Sequence, residues 1–220
     1  MALQRNVTLC GRHLDGSSHI CAFFDSRDQQ YDALLPYYSE GLANGEQIIT
    51  ILDDDRLDDH HLRIKASGIA LQEATAANRL KIFSANETYL NDGSFAAERM
   101  FALLEEALIA ANTNGFRGVR TSGEMSWALR NMPGTDQLME YEARVNRLTE
   151  KYDCTLMCVY DVSKVNGRAV MDVLATHPQV LMGDTIVENP YYVSPVTFLK
   201  GLLQRGGSAL AHQNGSSESE

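Results

Sequence analysis

Two hydrophobic rhythms alternate along the chain: short apolar, β-favouring runs, and longer stretches whose apolar positions recur every three or four residues. Ser18–Phe24 (SHICAFF), Gln47–Leu52 (QIITIL), Leu80–Ser84 (LKIFS), Phe116–Ser122 (FRGVRTS) and Thr155–Tyr160 (TLMCVY) are of the first kind and predict strands. Arg27–Ala43 is of the second kind, with Tyr31, Leu34, Leu35, Tyr38 and Leu42 on one face of a helix that Gly45 ends. Ser94–Asn112 is striped by Ala97, Phe101, Leu104, Leu108 and Ala111, and Gly134–Tyr152 by Leu138, Tyr141, Val145, Leu148 and Tyr152. Residues 166–177 read as a further helix, and Gln179–Met182 with Thr185–Val187 as a hairpin turning at Gly183-Asp184. Strands alternating with helices imply an α/β fold, a mainly parallel sheet with helices on both faces and a C-terminal hairpin. Residues 1–16 read as a lead-in, 17–204 as the folded domain, and the Gly/Ser-rich 205–220 as a disordered tail.

The strand–helix–strand unit over residues 18–53 has the length at which nucleotide-binding folds place a glycine-rich turn ending in Lys-Ser/Thr. Here the turn is Phe24-Asp25-Ser26-Arg27-Asp28. Glycines let backbone N–H groups close on a phosphate, and lysine neutralises it. This turn has neither and carries two carboxylates, so no ATP hydrolysis and only weak nucleotide binding are expected.

Composition narrows the function classes. The 220 residues include 19 basic and 29 acidic side chains, a net charge of −10, which argues against direct nucleic-acid binding. At 44% hydrophobic residues the chain has enough apolar surface for a packed core. No apolar run approaches the roughly 18 residues of a membrane span, and MALQRNVTLCGRHL lacks a signal-peptide core. Cys10, Cys21, Cys154 and Cys158 then read as reduced thiols of a cytoplasmic protein.

Seven fragments in order resemble the MEDS family. They are His19-Ile20-Cys21 on the first strand, Gly41-Leu42-Ala43-Asn44-Gly45-Glu46 closing the first helix, the run from Arg120 to Leu129, Tyr141-Glu142, Cys158-Val159-Tyr160-Asp161, His177-Pro178 and Asn189-Pro190-Tyr191-Tyr192. The family is the sensory domain of the dichloromethane-responsive repressor and of methanogen and actinobacterial signalling proteins. It is regarded as a RecA-like fold that lost its phosphate loop. The resemblance implies a non-catalytic module that senses small hydrocarbon derivatives. The family usually joins this sensor to a DNA-binding domain or a kinase, for which this chain has no room. The output is therefore expected in a separate signalling or regulatory protein, or in a change of homo-oligomeric state.

His19 and Cys21, two apart on a strand, share one face. Such a pair suits a ligand contact, a redox sensor or a metal site, and equally a packed thiol beside a hydrogen-bonded histidine. Zinc normally takes at least three protein ligands, and Cys158 is the third candidate if the first and fifth strands are neighbours, as the RecA resemblance implies. Placing the first strand between the fourth and fifth would gather His19, Cys21, Glu124 and Cys158. The ligand site is then expected at the carboxyl ends of those strands. Phe23, Trp127, Tyr160 and one or both of Tyr191 and Tyr192 would form its walls, and His19, Cys21, Arg120 and Glu124 its polar members. If His19 and Cys21 lie low on their strand, the site is instead a buried cavity under the loop. Arg120 with Glu124 also reads as a structural ion pair. The acidic stretch Asp53–His61 reads as a helix start capped by Asp53–Asp55, because adjacent His60 and His61 diverge by about 100° on a helix. The competing function classes are a degenerate ATPase, a thiol hydrolase pairing Cys21 with His19, and a ligand-free partner of a kinase or anti-sigma system.

Overall fold

Ser18–Phe24 (β3) is buried at every position, as a strand covered on both faces must be. A computed structural model describes residues 5, 7–130 and 132–205. Before β3, Val7–Leu9 (β1) and Arg12–Leu14 (β2) form a small antiparallel hairpin. After it come Arg27–Ala43 (α1), Gln47–Leu52 (β4), Leu57–Ala66 (α2), Leu71–Ala76 (α3), Leu80–Ser84 (β5) and Ala97–Thr113 (α4). Val119–Glu124 (β6), Leu138–Lys151 (α5), Cys154–Asp161 (β7), Gly167–Thr176 (α6), Gln179–Met182 (β8), Thr185–Glu188 (β9) and Pro195–Arg205 (α7) complete the order.

The seven-stranded sheet runs β5-β4-β6-β7-β3-β8-β9 and is parallel except for the β8–β9 hairpin. One face is covered by α1, α2, α3 and the β1–β2 hairpin, through Leu34, Tyr38, Ile64, Ala74 and Val7 among others. The other is covered by α4, α5, α6 and α7, through Leu104, Val145, Val173 and Phe198. The expected mainly parallel, two-faced α/β sheet is the fold observed.

The expected sheet order needs one correction. The first predicted strand, β3, lies between β7 and β8, and it is β7 that separates it from β6. The first and fifth predicted strands are therefore direct neighbours, with Cys21 opposite Cys158. The lead-in also contains structure that the periodicity did not announce. Its strands are three residues each, and the turn Cys10-Gly11 has both φ angles positive, 49° and 76°, with cysteine where asparagine usually signals such a hairpin. The proposed tail falls almost wholly on residues 206–220, outside the described residues.

Candidate functional site

Pleating sends alternate residues of β6 to opposite faces. Arg120, Ser122 and Glu124 all point toward α1. Arg120 is completely buried; its Nη1 donates to Glu40 Oε2 at 2.7 Å and to the Tyr37 carbonyl at 2.9 Å. Its Nε donates to Glu46 Oε2, while Arg5 Nε donates to Glu46 Oε1 at 2.6 Å. The Gly-Leu-Ala-Asn-Gly-Glu run explains itself here. A Cβ on Gly41 would lie 2.8 Å from Arg120 Cδ and Nε, Gly45 turns the chain at φ +76°, and Glu46 receives both guanidinium groups.

Glu124 does not pair with Arg120. At the carboxyl end of β6 it accepts from Gln30 Nε2 at 3.0 Å, Arg27 Nη1 at 3.4 Å and the Asp53 N–H at 3.2 Å. It borders a shallow crevice over the ends of β3, β6 and β7, lined also by Phe24, Arg27, Gln30, Ser126 and Tyr160. Only Asp25 and Ser26 connect β3 to α1, and Ser26 caps the helix by accepting from the Gln29 N–H. The acidic stretch after β4 behaves differently from its expected cap. The Asp53 carboxylate accepts from Ser126 Oγ at 2.5 Å and from Arg130, and makes no side-chain capping bond to the turn that follows. His60 is buried between Tyr31 Oη at 2.7 Å and Thr50 Oγ1 at 3.2 Å, and burial, then His61, lowers its pKa to about 3.

On the opposite face, under α5 and α6, four ionisable side chains converge. His19, Glu142, Cys158 and His177 present ligand atoms that all lie within 4.8 Å of one another, and all four residues are buried. Glu142 Oε2 is the hub. It lies 3.2 Å from His19 Nε2, 3.5 Å from His177 Nε2 and 3.3 Å from Cys158 Sγ, while Oε1 accepts from Tyr160 Oη at 3.3 Å. Burial, then the nearby His177, pushes His19 down to about 4. Burial and Glu142 together push the Cys158 thiol up.

The predicted site residues thus fall into separate places. His19 and Cys158 belong to the buried cluster. Cys21 shares their face, but its thiol turns to the Gln179 carbonyl at 3.7 Å. Phe23 stacks on Tyr160 at 5.5 Å, inside the core. Trp127 is fully buried between Tyr89 and Phe95, with ring centroids at 4.8 and 4.9 Å. Arg120 and Glu124 lie across the sheet, which corrects the expected gathering of Glu124 with His19 and the cysteines. Tyr191 is 63% exposed, and neither it nor Tyr192 borders the crevice.

The family model for MEDS, described as the methanogen/methylotroph, DcmR sensory domain, matches residues 18–178. The chain belongs to the MEDS family. The transcriptional repressor DcmR of Methylorubrum extorquens (strain DSM 6343 / CIP 106787 / DM4) is 24% identical over 184 residues, a match covering 77% of this chain and 61% of the repressor. The chain therefore spans about three fifths of the length of that curated relative. Among solved structures, the KaiC-like protein PH0186 from Pyrococcus horikoshii OT3 superposes with a TM-score of 0.59 at 11% identity, over 82% of this chain and 81% of that one. That likeness shows a shared RecA-like fold. As a MEDS domain the chain has a sensory, regulatory character. No helix among the described residues is long and apolar enough to cross a membrane.

Glu142 and His177 are the residues that sequence reasoning missed as site members. Both stood inside MEDS-like fragments, Tyr141-Glu142 and His177-Pro178, and His177 does end its helix as a residue before proline should. The available signal was chemical: a carboxylate on the buried stripe of a helix, beside the predicted Tyr141, needs a partner inside the core.

Proposed function

We propose that this MEDS domain is a non-catalytic sensor of a small organic molecule, received in the crevice at the carboxyl ends of β3, β6 and β7. The observation that supports this reading is a crevice at the strand ends of a RecA-like sheet whose first strand-to-helix turn has no glycine or lysine. The two-residue connection Asp25-Ser26 leaves no backbone cradle, and Glu124, 7% exposed, is fixed at the edge by Arg27, Gln30 and the Asp53 N–H. Gln30, Ser126 and Glu124 beside Phe24 and Tyr160 suit a small hydrocarbon derivative with a polar head, such as a short alcohol; Arg27, Arg56 and Lys164 line the same crevice, which makes ATP the necessary comparison ligand. The repressor relative supports a regulatory output. With its acidic surplus the domain would act through a separate regulatory protein or through self-association, without touching nucleic acid itself.

Thermal unfolding with a panel of haloalkanes, short alcohols and ATP tests the reading. A true ligand at about 100 times its Kd stabilises the native state by about 2.7 kcal/mol. That gain should vanish in Glu124→Gln while the variant stays folded. Stabilisation by ATP alone, or ATP hydrolysis lost in Glu124→Gln, would overturn it.

A further inference from the structure

We propose that His19, Glu142, Cys158 and His177 form a four-ligand site for a divalent transition metal of the zinc class. The spacing is the first argument. Around a tetrahedral ion with bonds of about 2.0 Å to nitrogen or oxygen and about 2.3 Å to sulfur, neighbouring ligand atoms sit about 3.3 Å apart, or about 3.5 Å where one is sulfur. Four of the six separations match: 3.2 Å for His19 Nε2 to Glu142 Oε2, 3.5 Å for His177 Nε2 to Glu142 Oε2, 3.5 Å for Cys158 Sγ to His19 Nε2 and 3.3 Å for Cys158 Sγ to Glu142 Oε2. The other two, from His177 Nε2 to His19 Nε2 and to Cys158 Sγ, stay within 4.8 Å and must close on binding.

Hydrogen bonding supplies the second argument. His177 Nδ1 lies 2.8 Å from the Val173 carbonyl, which only accepts, and 3.0 Å from Thr176 Oγ1, whose own hydrogen goes to that same carbonyl at 2.9 Å, so Nδ1 carries the proton and Nε2 a lone pair. That Nε2 is buried, has no hydrogen-bond partner and faces the other three groups. His19 is held the same way. Its Nδ1 faces Asn146 Oδ1 at 3.4 Å, and Asn146 is oriented by donating Nδ2 to the Thr176 carbonyl at 2.8 Å. Both rings are thus anchored through Nδ1 and aim Nε2 at the centre, the arrangement that metal-binding histidines adopt. Tyr160 occupies Glu142 Oε1 and leaves Oε2 for the ion. Two lone pairs beside a carboxylate are repulsive, and one cation among them turns each contact into a bond.

Charge closes the account. One thiolate, one carboxylate and two neutral imidazoles exactly cancel a dication. On binding, Cys158 gives up its thiol proton to solvent as the sulfur–metal bond forms, so one proton leaves per ion bound. The site lies across the sheet from Glu124 and does not depend on the crevice binding anything.

The full chain, unfolded in denaturant with a chelator and refolded with one equivalent of Co²⁺, tests the assignment. One tightly held cobalt per chain is expected, with the intense visible bands of a four-coordinate ion and a near-ultraviolet thiolate-to-cobalt band. Cys158→Ser should abolish the thiolate band; Cys21→Ser and Cys10→Ser should keep it. Asn146→Ala should weaken affinity about 10–100-fold by releasing the His19 ring. X-ray absorption of the cobalt-loaded parent needs no variant, and should show one sulfur at about 2.3 Å with three nitrogen or oxygen neighbours at about 2.0 Å. Folded protein that takes up no cobalt, a thiolate band that survives Cys158→Ser, or a first shell without sulfur would each overturn the site.

Discussion

Two buried ionic networks face each other across the sheet, and they are built on opposite principles. Under α1, two guanidinium groups, Arg5 and Arg120, meet two carboxylates, Glu46 and Glu40. The signs balance, and the guanidinium donors point at acceptors except Arg5 Nη1, which has no hydrogen-bond partner among the described residues. Under α5, a single carboxylate receives the Cys158 thiol and the Tyr160 hydroxyl, but it also faces the lone-pair side of two imidazoles. A balanced network specifies packing, and breaking it strands a buried charge. A network in which two imidazole lone pairs face a carboxylate has work left for a cation to do. Burial alone does not separate the two, since Arg120 and Glu142 are both fully enclosed.

The largest test of this contrast removes a cation from the balanced side. Arg120→Met leaves Glu46 Oε2 and Glu40 Oε2 without their guanidinium, and should cost about 3–5 kcal/mol in urea-induced unfolding. A variant as stable as the parent would break the claim that this network is structural.

His60 sharpens the comparison as a buried polar group on the same face as Arg120 but outside its network. Its folded pKa of about 3 lies below the unfolded value of about 6.5, so the unfolded chain takes up the proton first. The stability from keeping His60 neutral is whole above pH 6.5 and falls as pH drops toward 3, by about 1.4 kcal/mol per pH unit. Unfolding free energies measured from pH 7 to 5 should therefore fall more steeply in the parent than in His60→Gln.

A smaller loss is expected for Gly41→Ala. The new methyl would sit 2.7 Å from Ile48 Cδ1 and 2.8 Å from Arg120, and the strain should cost about 1–3 kcal/mol despite the better helix propensity of alanine. The midpoint of thermal unfolding reports it. Least affected is Tyr191→Ala. The side chain is largely exposed and away from the crevice, so stability should change by no more than about 0.5 kcal/mol. Ligand-induced stabilisation should be unchanged, and a lost response would return the aromatic pair to the site.

Much of the fold was legible residue by residue. β3, α1, β4, β5 and β8 have the boundaries that periodicity predicts, because burial of one helical face or of a whole strand writes itself into local sequence. α7 escaped notice although Pro195 opens it, a position where proline's missing N–H costs nothing. The site was half legible. His19 and Cys158 were picked out, but Arg120 and Glu124 were assigned to their face.

By itself the sequence determined the alternation of strands and helices, the absence of glycine and lysine from the turn after β3, and the shared face of His19 and Cys21. Each of these depends on neighbours a few positions apart. Only the tertiary structure decided the rest: that β7 lies between β6 and β3, that Arg120 and Glu124 turn toward α1, and that His19 meets Cys158 139 positions away. Pleating fixes which residues share a face of one strand, but register and helix placement decide which partners that face meets. A buried charge is legible only when its partner is known.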